Sequence, residues 1–289
     1  FCASRRGKAC DFYRTPDPES GIFERIPGTF DFWDPNLFLD DDGRMYFYWG
    51  CSNMTPVFGV ELNPDTMERL GEPVVLIENH KKEYGYERTG ENHHYNPDES
   101  HIAALLRAQM AQNLGCSPDE ITDITPAIEA APEQYRPMLK AALSDNPYIE
   151  GAWMTKHDGK YYLQYASPGT QFNIYNDGVY TGDTPLGPFT ICPNNPFSYS
   201  PGGFCPGAGH GSTMEDRAGN WWHTSTMRIS VNHEFERRVG IWPAGFDKDG
   251  ELFCNQRYGD WPQAVTGEKK DPFAPPEWML LSYRKTVTA

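Results

Sequence analysis

The sequence predicts an all-β fold of the β-propeller type, because one turn-and-strand pattern recurs along the chain. Residues 40–43 supply turn chemistry, and the aromatic, β-prone run 45–49 follows them directly. A turn containing glycine, followed by a strand rich in aromatic or β-branched residues, recurs in segments 157–166, 217–226 and 247–256. Gly159 and Gly219 are 60 positions apart, and Gly43 precedes Gly159 by 116 positions. A fixed period of this length with β content is typical of a propeller with one four-stranded blade per unit.

A second motif, D-x-x-x-G-x-F, supports the repeat independently. It occurs at residues 183–189, where it closes one unit, and at residues 17–23. By this pattern, residues 1–25 form the tail of a blade. The sequence therefore predicts that the chain begins inside a larger protein.

The composition favours many short strands and turns, because the chain contains 27 glycines, 25 prolines and 14% aromatic residues. The net charge of −15 argues against a nucleic-acid partner, since phosphate neutralisation needs clustered Lys and Arg. No stretch approaches the ~20 apolar residues of a membrane span, so no membrane partner is expected. The seven cysteines include no C-x-x-C pair, which argues against a disulfide framework and against a structural zinc site.

A helical insertion is expected at about residues 96–146. Five apolar residues fall at helical spacing and form one stripe: Ile102, Leu105, Leu106, Met110 and Leu114. Asn96 is the candidate N-cap of this helix, and Gly115 is its candidate end. Residues 117–120 repeat the start pattern, and a third helix is expected near 136–143. We expect the insertion to lie over one face of the propeller.

The chain is expected to divide near residue 265. Residues 1–265 would form the propeller, truncated at its N-terminus and carrying the insertion. Residues 269–276 have the composition of a loop, and residues 278–283 return as a strand. We interpret 266–289 as a C-terminal strand and a linker toward a further module.

Three polar residues stand directly before strands that are expected to be innermost in their blades: Asp34 in W-D-P-N, Glu150 in Y-I-E-G-A-W and His210 in G-A-G-H-G-S. Strands that converge on a central axis bring such side chains into one pocket. An acid in an apolar stretch, as at Glu150, is costly to bury unless it has a task. Asp34 could equally be a turn acid, and His210, between two glycines, could mark a tight backbone approach.

Three segments in this order, residues 34–50, 150–167 and 209–222, resemble glycoside hydrolase family 43. The match covers most of residues 15–262 outside the helical insertion. The resemblance implies a five-bladed β-propeller, here with an incomplete first blade. It also implies an inverting glycosidase that releases arabinofuranosyl or xylosyl units from plant-type polysaccharides or oligosaccharides. Its partners would be these glycans, it would need no organic cofactor, and the further module could be an appended carbohydrate-binding module.

The resemblance assigns roles to the two acids. Glu150 corresponds to the general acid, which protonates the leaving glycosidic oxygen. Asp34 corresponds to a third acid, which orients the general acid and holds up its pKa through a like charge. Inversion also needs a general base about 6.5–9.5 Å from the acid. In this family the base belongs to a D-P motif of the first blade, and this chain lacks that start, because Asp17-Pro18 lies in the turn motif. Asp34 itself is the alternative base, since it too precedes a proline ahead of a strand.

Two other functions remain open at this point. A propeller without its general base would bind carbohydrate without turnover. A protein-interaction propeller is the second rival, although the sequence offers no repeated recognition motif for that class. The position of the insertion directly before Glu150 predicts a narrowed pocket mouth and short, exo-type substrates.

The resemblance also implies binding residues. His210 resembles the family's axial histidine, which holds a calcium ion or a water network, although calcium prefers oxygen ligands. Arg238 matches an arginine that reaches the sugar hydroxyls from the last blade. Trp33 and Trp153 are candidates for stacking on sugar rings, against a default of core packing. The acids at 40–42 are expected to be solvated turn residues.

Overall fold

The structure is a computed structural model of the 289-residue chain. It describes residues 1–4, 9–89, 97–203, 205–229, 233, 236–257, 263–275 and 286. The fold is mostly β, with a few short helices, as the composition indicated. In the described ranges, every helix is too short or too polar to cross a bilayer.

The strands of the described residues form four antiparallel sheets, and strands adjacent in the chain are paired within each sheet, except that the last strand of the third sheet pairs with the strand two before it. The first sheet contains β1 (Cys2–Ala3), β2 (Cys10–Arg14) and β3 (Glu24–Phe30). The second contains β4 (Asn36–Leu39), β5 (Met45–Trp49), β6 (Val57–Leu62) and β7 (Val74–Ile77). The third contains β8 (Glu150–His157), β9 (Lys160–Ser167), β10 (Asn176–Gly182), β11 (Phe189–Ile191) and β12 (Ser198–Tyr199). The fourth contains β13 (Gly207–Glu215), β14 (Trp221–Arg228), β15 (Arg237–Phe246) and β16 (Leu252–Cys254).

Each sheet packs on the next through an apolar layer. The layer between the first and second sheets includes Phe12, Phe30, Phe47 and Trp49. The layer between the second and third includes Tyr46, Tyr48, Val57, Met154, Leu163 and Tyr165. The layer between the third and fourth includes Tyr162, Val179 and Leu252. Burial of each large apolar side chain stabilises the fold by about 1.5–3 kcal/mol. Successive packing of small antiparallel sheets is the blade arrangement of a propeller; with four sheets described, the count of five blades stays a prediction.

The first strands of the second, third and fourth sheets lie side by side. The Met154 amide of β8 donates to the Asn36 side chain at the start of β4, at 2.9 Å. On its other side, the Trp153 indole of β8 donates to the Thr213 carbonyl of β13, at 3.0 Å. The strands β4, β8 and β13 are therefore innermost, as the sequence predicted, and their N-terminal ends can share one pocket.

The recurring turn-and-strand pattern is confirmed. Its strands correspond to β5, β9, β14 and β16, and each follows a turn whose glycine has positive φ: Gly43 (83°), Gly159 (77°), Gly219 (81°) and Gly250 (78°). Glycine adopts this conformation without steric cost, which is why the turn-and-strand pattern can be recognised in the sequence. Both D-x-x-x-G-x-F motifs also form turns, with Gly21 and Gly187 at positive φ, and each leads into an edge strand.

The expectation that Asp40 is a solvated turn residue is wrong. Asp40 is only 5% exposed, and it accepts hydrogen bonds from the Lys156 ammonium and the Tyr161 hydroxyl. Burial alone would raise the pKa of Asp40, but these hydrogen bonds outweigh it and lower the pKa. The turn acid of the second sheet is thus tied to the third sheet, a contact that the turn sequence does not reveal.

The helical insertion contains α1 (His101–Leu114), α2 (Thr125–Ala130) and α3 (Arg136–Ala142), with short 3-10 turns between them. The N-cap of α1 is Ser100, whose hydroxyl accepts from the Ala103 amide at 3.2 Å, and the predicted N-cap Asn96 lies outside the described residues. Gly115 ends α1 with φ 72°, as predicted. The start pattern at 117–120 forms a capping box, but on a 3-10 turn instead of a full helix.

The predicted apolar stripe of α1 is not the buried face of the helix. Leu105 and Leu114 are more than half exposed, whereas Ala103 and Ala111 are buried. The helix packs against α2 and the adjoining 3-10 turns, and a short alanine side chain permits that close approach. At the C-terminal end of the chain, residues 263–275 form a loop as expected, and the predicted strand at 278–283 lies outside the described residues.

Candidate active site

Asp34 lies in the turn that enters β4. Its backbone has φ 51°, in the left-handed region that L-residues other than asparagine and aspartate rarely adopt. The turn is held by the Gly50 amide, which donates to the Trp33 carbonyl at 2.9 Å. A strained backbone held by its surroundings is common at functional sites.

Glu150 is the first residue of β8 and is 8% exposed. The next residue, Gly151, has φ 61°, and a Cβ built on it would lie 2.7 Å from Cγ of His210. Only glycine therefore lets the imidazole of His210 pack against the backbone beside Glu150. The motif E-G at the start of β8 is thus explained by a contact with β13.

His210 joins the two acids. Its Nδ1 lies 3.2 Å from Oε2 of Glu150 and 3.8 Å from Oδ2 of Asp34. Burial lowers the pKa of His210, but the hydrogen bond to Glu150 and the charge of Asp34 outweigh it, so that the pKa is raised. The three residues that the sequence singled out are therefore in one cluster.

The carboxyl groups of Asp34 and Glu150 lie close together. Their carboxyl groups, with the thiol of Cys51, each offer one atom, and these three atoms lie within 4.8 Å of one another. Burial, the largest cause, and the charge of Glu150 raise the pKa of Asp34 to about 6, while His210 acts in the opposite direction. A second carboxyl this close opposes the ionisation of Asp34.

Sequence reasoning missed Cys51. Its thiol lies 3.8 Å from Oε2 of Glu150. Burial, followed by the charges of Glu150 and Asp34, raises the pKa of this thiol strongly. The hairpin register held a usable signal: Asn36 pairs with Tyr48 in β4 and β5, so the chain just beyond β5 runs beside Asp34.

Two further buried groups lie beneath the pocket and were also missed. The Tyr175 hydroxyl is buried near Glu150 and Asp34, whose charges raise its pKa after burial as the main cause. Asp177 accepts hydrogen bonds from the Gly211 amide at 3.1 Å and from Nε2 of His223 at 2.9 Å. These contacts of Asp177 hold the backbone directly after His210, a residue whose own φ is 56°.

The glycines around His210 do mark a tight approach, the reading that was weighed against a ligand role. A Cβ on Gly209 would lie 2.7 Å from the Tyr175 ring, and one on Gly211 would lie 2.4 Å from the Thr224 carbonyl oxygen. Both spaces are filled by atoms that cannot easily move. The close packing fixes the imidazole beside the acids, and the ligand role of His210 stays a prediction.

The other predicted binding residues occupy different positions. Trp33, next to Asp34, is 38% exposed. Arg238 is exposed and contacts Glu236, and the register Gly207–Met227–Arg238 puts it two strands out from the start of β13, at the same end of the sheet. The Trp153 indole, in contrast, is bound to the Thr213 carbonyl between two strands, which is a packing role. Sugar contacts of all three side chains stay predictions.

The side chains around His210 can be compared with the ligands that the expected calcium ion would need. Nδ1 of His210 faces the carboxyls of Asp34 and Glu150, so an ion bound there would occupy the two acids of the pocket. Calcium takes 6–8 oxygen ligands, and these three side chains fall short of that set. The described residues alone do not form a calcium site, and axial calcium stays a prediction.

The helical insertion is attached beside this pocket. The segment after β5 pairs with the residue before β8 through the Ser52 and Ile149 backbones, at 3.1 and 3.2 Å. The neighbouring Asn53 side chain donates to the Ala141 carbonyl of α3, at 2.9 Å. The end of the insertion therefore meets the segment that carries Cys51.

Comparison with known proteins gives three findings. A family model described as glycosyl hydrolases family 43 matches residues 116–252. Xylosidase/arabinosidase 43A of Humicola insolens is 29% identical over 246 residues, covering 82% of this chain and 62% of that protein. A xylosidase/arabinosidase of Bacteroides ovatus is 27% identical over 157 residues, covering 54% of this chain and 38% of that protein. The chain thus spans less than two thirds of the length of either relative.

A solved structure supports the fold. A thermostable family-43 glycoside hydrolase superposes with a TM-score of 0.62 at 19% identity, covering 93% of this chain and 73% of that one. Likeness at this identity concerns the fold alone. Together, the family model, the relatives and the structural neighbour confirm the resemblance to glycoside hydrolase family 43 that the three motifs indicated.

Proposed function

We propose that this chain carries the catalytic pocket of an inverting glycosidase that releases terminal arabinofuranosyl or xylosyl units. The observation that carries the proposal is the cluster of Asp34, Glu150 and His210, which lie just before β4, at the first residue of β8 and within β13. The relatives named xylosidase/arabinosidase favour pentose-containing glycans as substrates.

Glu150 is the proposed general acid. Its carboxyl lies at the start of an innermost strand, in contact with His210. Protonation of the glycosidic oxygen requires a carboxyl that holds its proton near the working pH. Transfer of that proton leaves a negative charge on Glu150. Asp34, whose pKa is raised to about 6, and the His210 ring, which faces both acids, compensate this change in charge.

The same geometry argues against Asp34 as the general base. An inverting pair stands about 6.5–9.5 Å apart, because a water molecule must fit between the base and the sugar. The nearest oxygens of Asp34 and Glu150 are within 4.8 Å, which leaves no such space. Among the described residues, the cluster contains no third carboxyl. Asp34 is therefore the modulating acid, and the base belongs to a part of the protein outside this cluster.

A carbohydrate-binding propeller without turnover is the alternative, and the missing third carboxyl favours it. The two proposals share the pocket but differ in chemistry. The attachment of the insertion beside Cys51 supports a narrowed mouth and exo-type substrates in either case.

The test is release of nitrophenol from 4-nitrophenyl α-L-arabinofuranoside and β-D-xyloside, with the anomeric form of the first product followed by proton NMR. Hydrolysis with inverted product supports the proposal, and a product of retained configuration contradicts it. Saturable sugar binding, measured calorimetrically with no hydrolysis, supports the binding alternative. If the protein neither binds nor hydrolyses these glycosides, the result favours a protein-interaction propeller.

A further inference from the structure

The pocket holds one group for which the proposed hydrolysis has no use, the thiol of Cys51. We propose that Asp34, Cys51 and Glu150 form a binding site for a thiophilic divalent cation of the zinc type, and that the bound ion blocks hydrolysis. The binding claim stands on the side-chain geometry alone. The inhibition claim rests in addition on the proposed function.

The spacing of the three donors suits a tetrahedral ion. Ligands at about 2.0–2.3 Å from zinc in a tetrahedron lie roughly 3.3–3.8 Å from one another. The Cys51 sulfur and Oε2 of Glu150 are already 3.8 Å apart, and the three potential ligand atoms all lie within 4.8 Å of one another. A contraction of about 1 Å, within reach of side-chain rotation, completes the set. Three protein ligands leave the fourth position for water, as in open zinc sites.

The donor types select the class of cation. A thiolate favours zinc and similar soft ions, whereas carboxylate and water sites suit magnesium and calcium. Two carboxylates and one thiolate carry three negative charges, and a divalent cation compensates two of them in a pocket where burial makes uncompensated charge costly. The thiol gives its proton to solvent when it binds the ion.

An independent observation points to the same place. The Tyr175 side chain is 1% exposed, and its hydroxyl makes no hydrogen bond with the described residues. The hydroxyl lies beside the carboxyls of Glu150 and Asp34, within a small adjustment of a full hydrogen bond to Glu150. The ring is fixed, since a Cβ on Gly209 would lie 2.7 Å from it. A buried, unpartnered donor beside two carboxyls is placed to hydrogen-bond a ligating carboxylate oxygen.

The ion would oppose the reaction through the groups it occupies. Glu150 cannot donate a proton while its carboxylate ligates a metal. Asp34, bound to the same ion, can no longer act on Glu150. Inhibition should therefore compete with substrate, and a chelator should reverse it.

Direct binding is the first test, on protein treated with a chelator and then dialysed. Calorimetric titration with Zn²⁺ should give one site in the wild type, and Mg²⁺ and Ca²⁺ should not displace the zinc. Co²⁺ should produce a thiolate-to-cobalt charge-transfer band in the near ultraviolet. These readouts do not depend on any enzymatic activity.

Three variants make the test specific. Cys51→Ser should weaken Zn²⁺ binding by more than roughly 10–100-fold, the loss caused by removing a group that only supports a ligand, and should abolish the cobalt band. Glu150→Gln, which keeps the side-chain shape, should weaken binding while retaining the thiol. Cys116→Ser is the matched control, since Cys116 is also partly buried but lies after α1 in the insertion.

Equal zinc affinity in the wild type and in Cys51→Ser, or a cobalt complex without a thiolate band, overturns the proposed site. Zinc binding at Cys51 without inhibition of a measurable hydrolysis overturns only the blocking role. If the protein hydrolyses no glycoside, the proposed function fails while the binding result still decides the metal site.

Discussion

The carboxyl groups of Asp34 and Glu150 lie with their nearest oxygens within 4.8 Å, although the two residues are 116 positions apart in the chain. They come from the starts of adjacent inner strands, β4 and β8. Because both are shielded from solvent, burial and then the charge of Glu150 raise the pKa of Asp34. The first two predictions follow from this relationship.

Asp34→Asn should stabilise the protein at neutral pH. The pKa of Asp34 is raised to about 6 in the folded chain, against a usual value of 3.8. The folded state therefore holds this proton more tightly, and its stability falls as pH rises from about 4 to 6. Asparagine also tolerates the left-handed backbone at this position. Above pH 6 we expect a gain of about 1–3 kcal/mol, since one pKa unit corresponds to about 1.4 kcal/mol.

Urea unfolding of both proteins between pH 4 and pH 8 measures this effect. The stability difference should grow through the window from pH 4 to 6 and then level off. Asp41→Asn, which removes an exposed carboxylate nearby, is the control for the loss of a charge. A difference between Asp34→Asn and wild type that does not change with pH would show that Asp34 is not buried against a like charge.

Glu150→Gln should abolish hydrolysis of substrates with poor leaving groups. General acid catalysis contributes about 10²–10⁴-fold, and glutamine has the same shape but no proton to donate. A 2,4-dinitrophenyl glycoside should lose much less, because its leaving group needs no protonation. Glu129→Gln, on the exposed side of α2, should leave both rates unchanged. Equal losses on both substrates would count against a proton-donor role.

Gly151→Ala should disturb the site and the fold together. A Cβ there would meet the His210 ring at 2.7 Å, in addition to the strain of φ 61°. We expect a loss of about 2–5 kcal/mol in unfolding free energy, from left-handed strain plus overpacking. Gly21→Ala has a similar φ of 68° with nothing within 4 Å, so it should lose only about 1–2 kcal/mol. Similar losses in the two variants would contradict the packing of His210 on Gly151.

Asp40→Ala should destabilise the protein by about 1–3 kcal/mol, because it leaves the Tyr161 hydroxyl and Lys156 without a buried partner. Asp41 also contacts Lys156, at 2.9 Å, but its side chain is 86% exposed. Asp41→Ala should therefore change stability by less than about 1 kcal/mol. Thermal unfolding of the two variants compares them directly, and a larger loss for Asp41→Ala would reverse the assignment of the two acids.

Trp33→Ala should raise KM by about 2–10-fold if the exposed indole stacks on the sugar, given an aromatic contact of about 0.5–1.5 kcal/mol. Trp153→Phe should leave KM unchanged and lower the melting temperature, since its indole binds the Thr213 carbonyl between strands. Steady-state kinetics and thermal unfolding of both variants separate the two roles. A KM effect confined to Trp153→Phe would reverse them.

Local sequence was sufficient for the strands that follow the glycine turns. The glycine turns at Gly43, Gly159 and Gly219 impose a positive φ that few residues accept, so turn and following strand could be read together. The start of α1 was misplaced, because Asn96 and Ser100 both have capping chemistry and only the fold selects Ser100. The buried face of α1 was also misjudged, since exposed Leu105 and buried Ala103 depend on what the helix packs against.

The sequence by itself indicated the β-rich repeat and singled out Asp34, Glu150 and His210, which the fold brings into one cluster, because turn geometry and strand propensity act over a few neighbouring residues. Only the tertiary structure decided that Cys51 and Tyr175 adjoin these acids, that Asp40 is buried, and that the nearest oxygens of Asp34 and Glu150 lie within 4.8 Å of one another. Distances between strands of different sheets depend on how the sheets pack, and no local pattern in the chain encodes that packing.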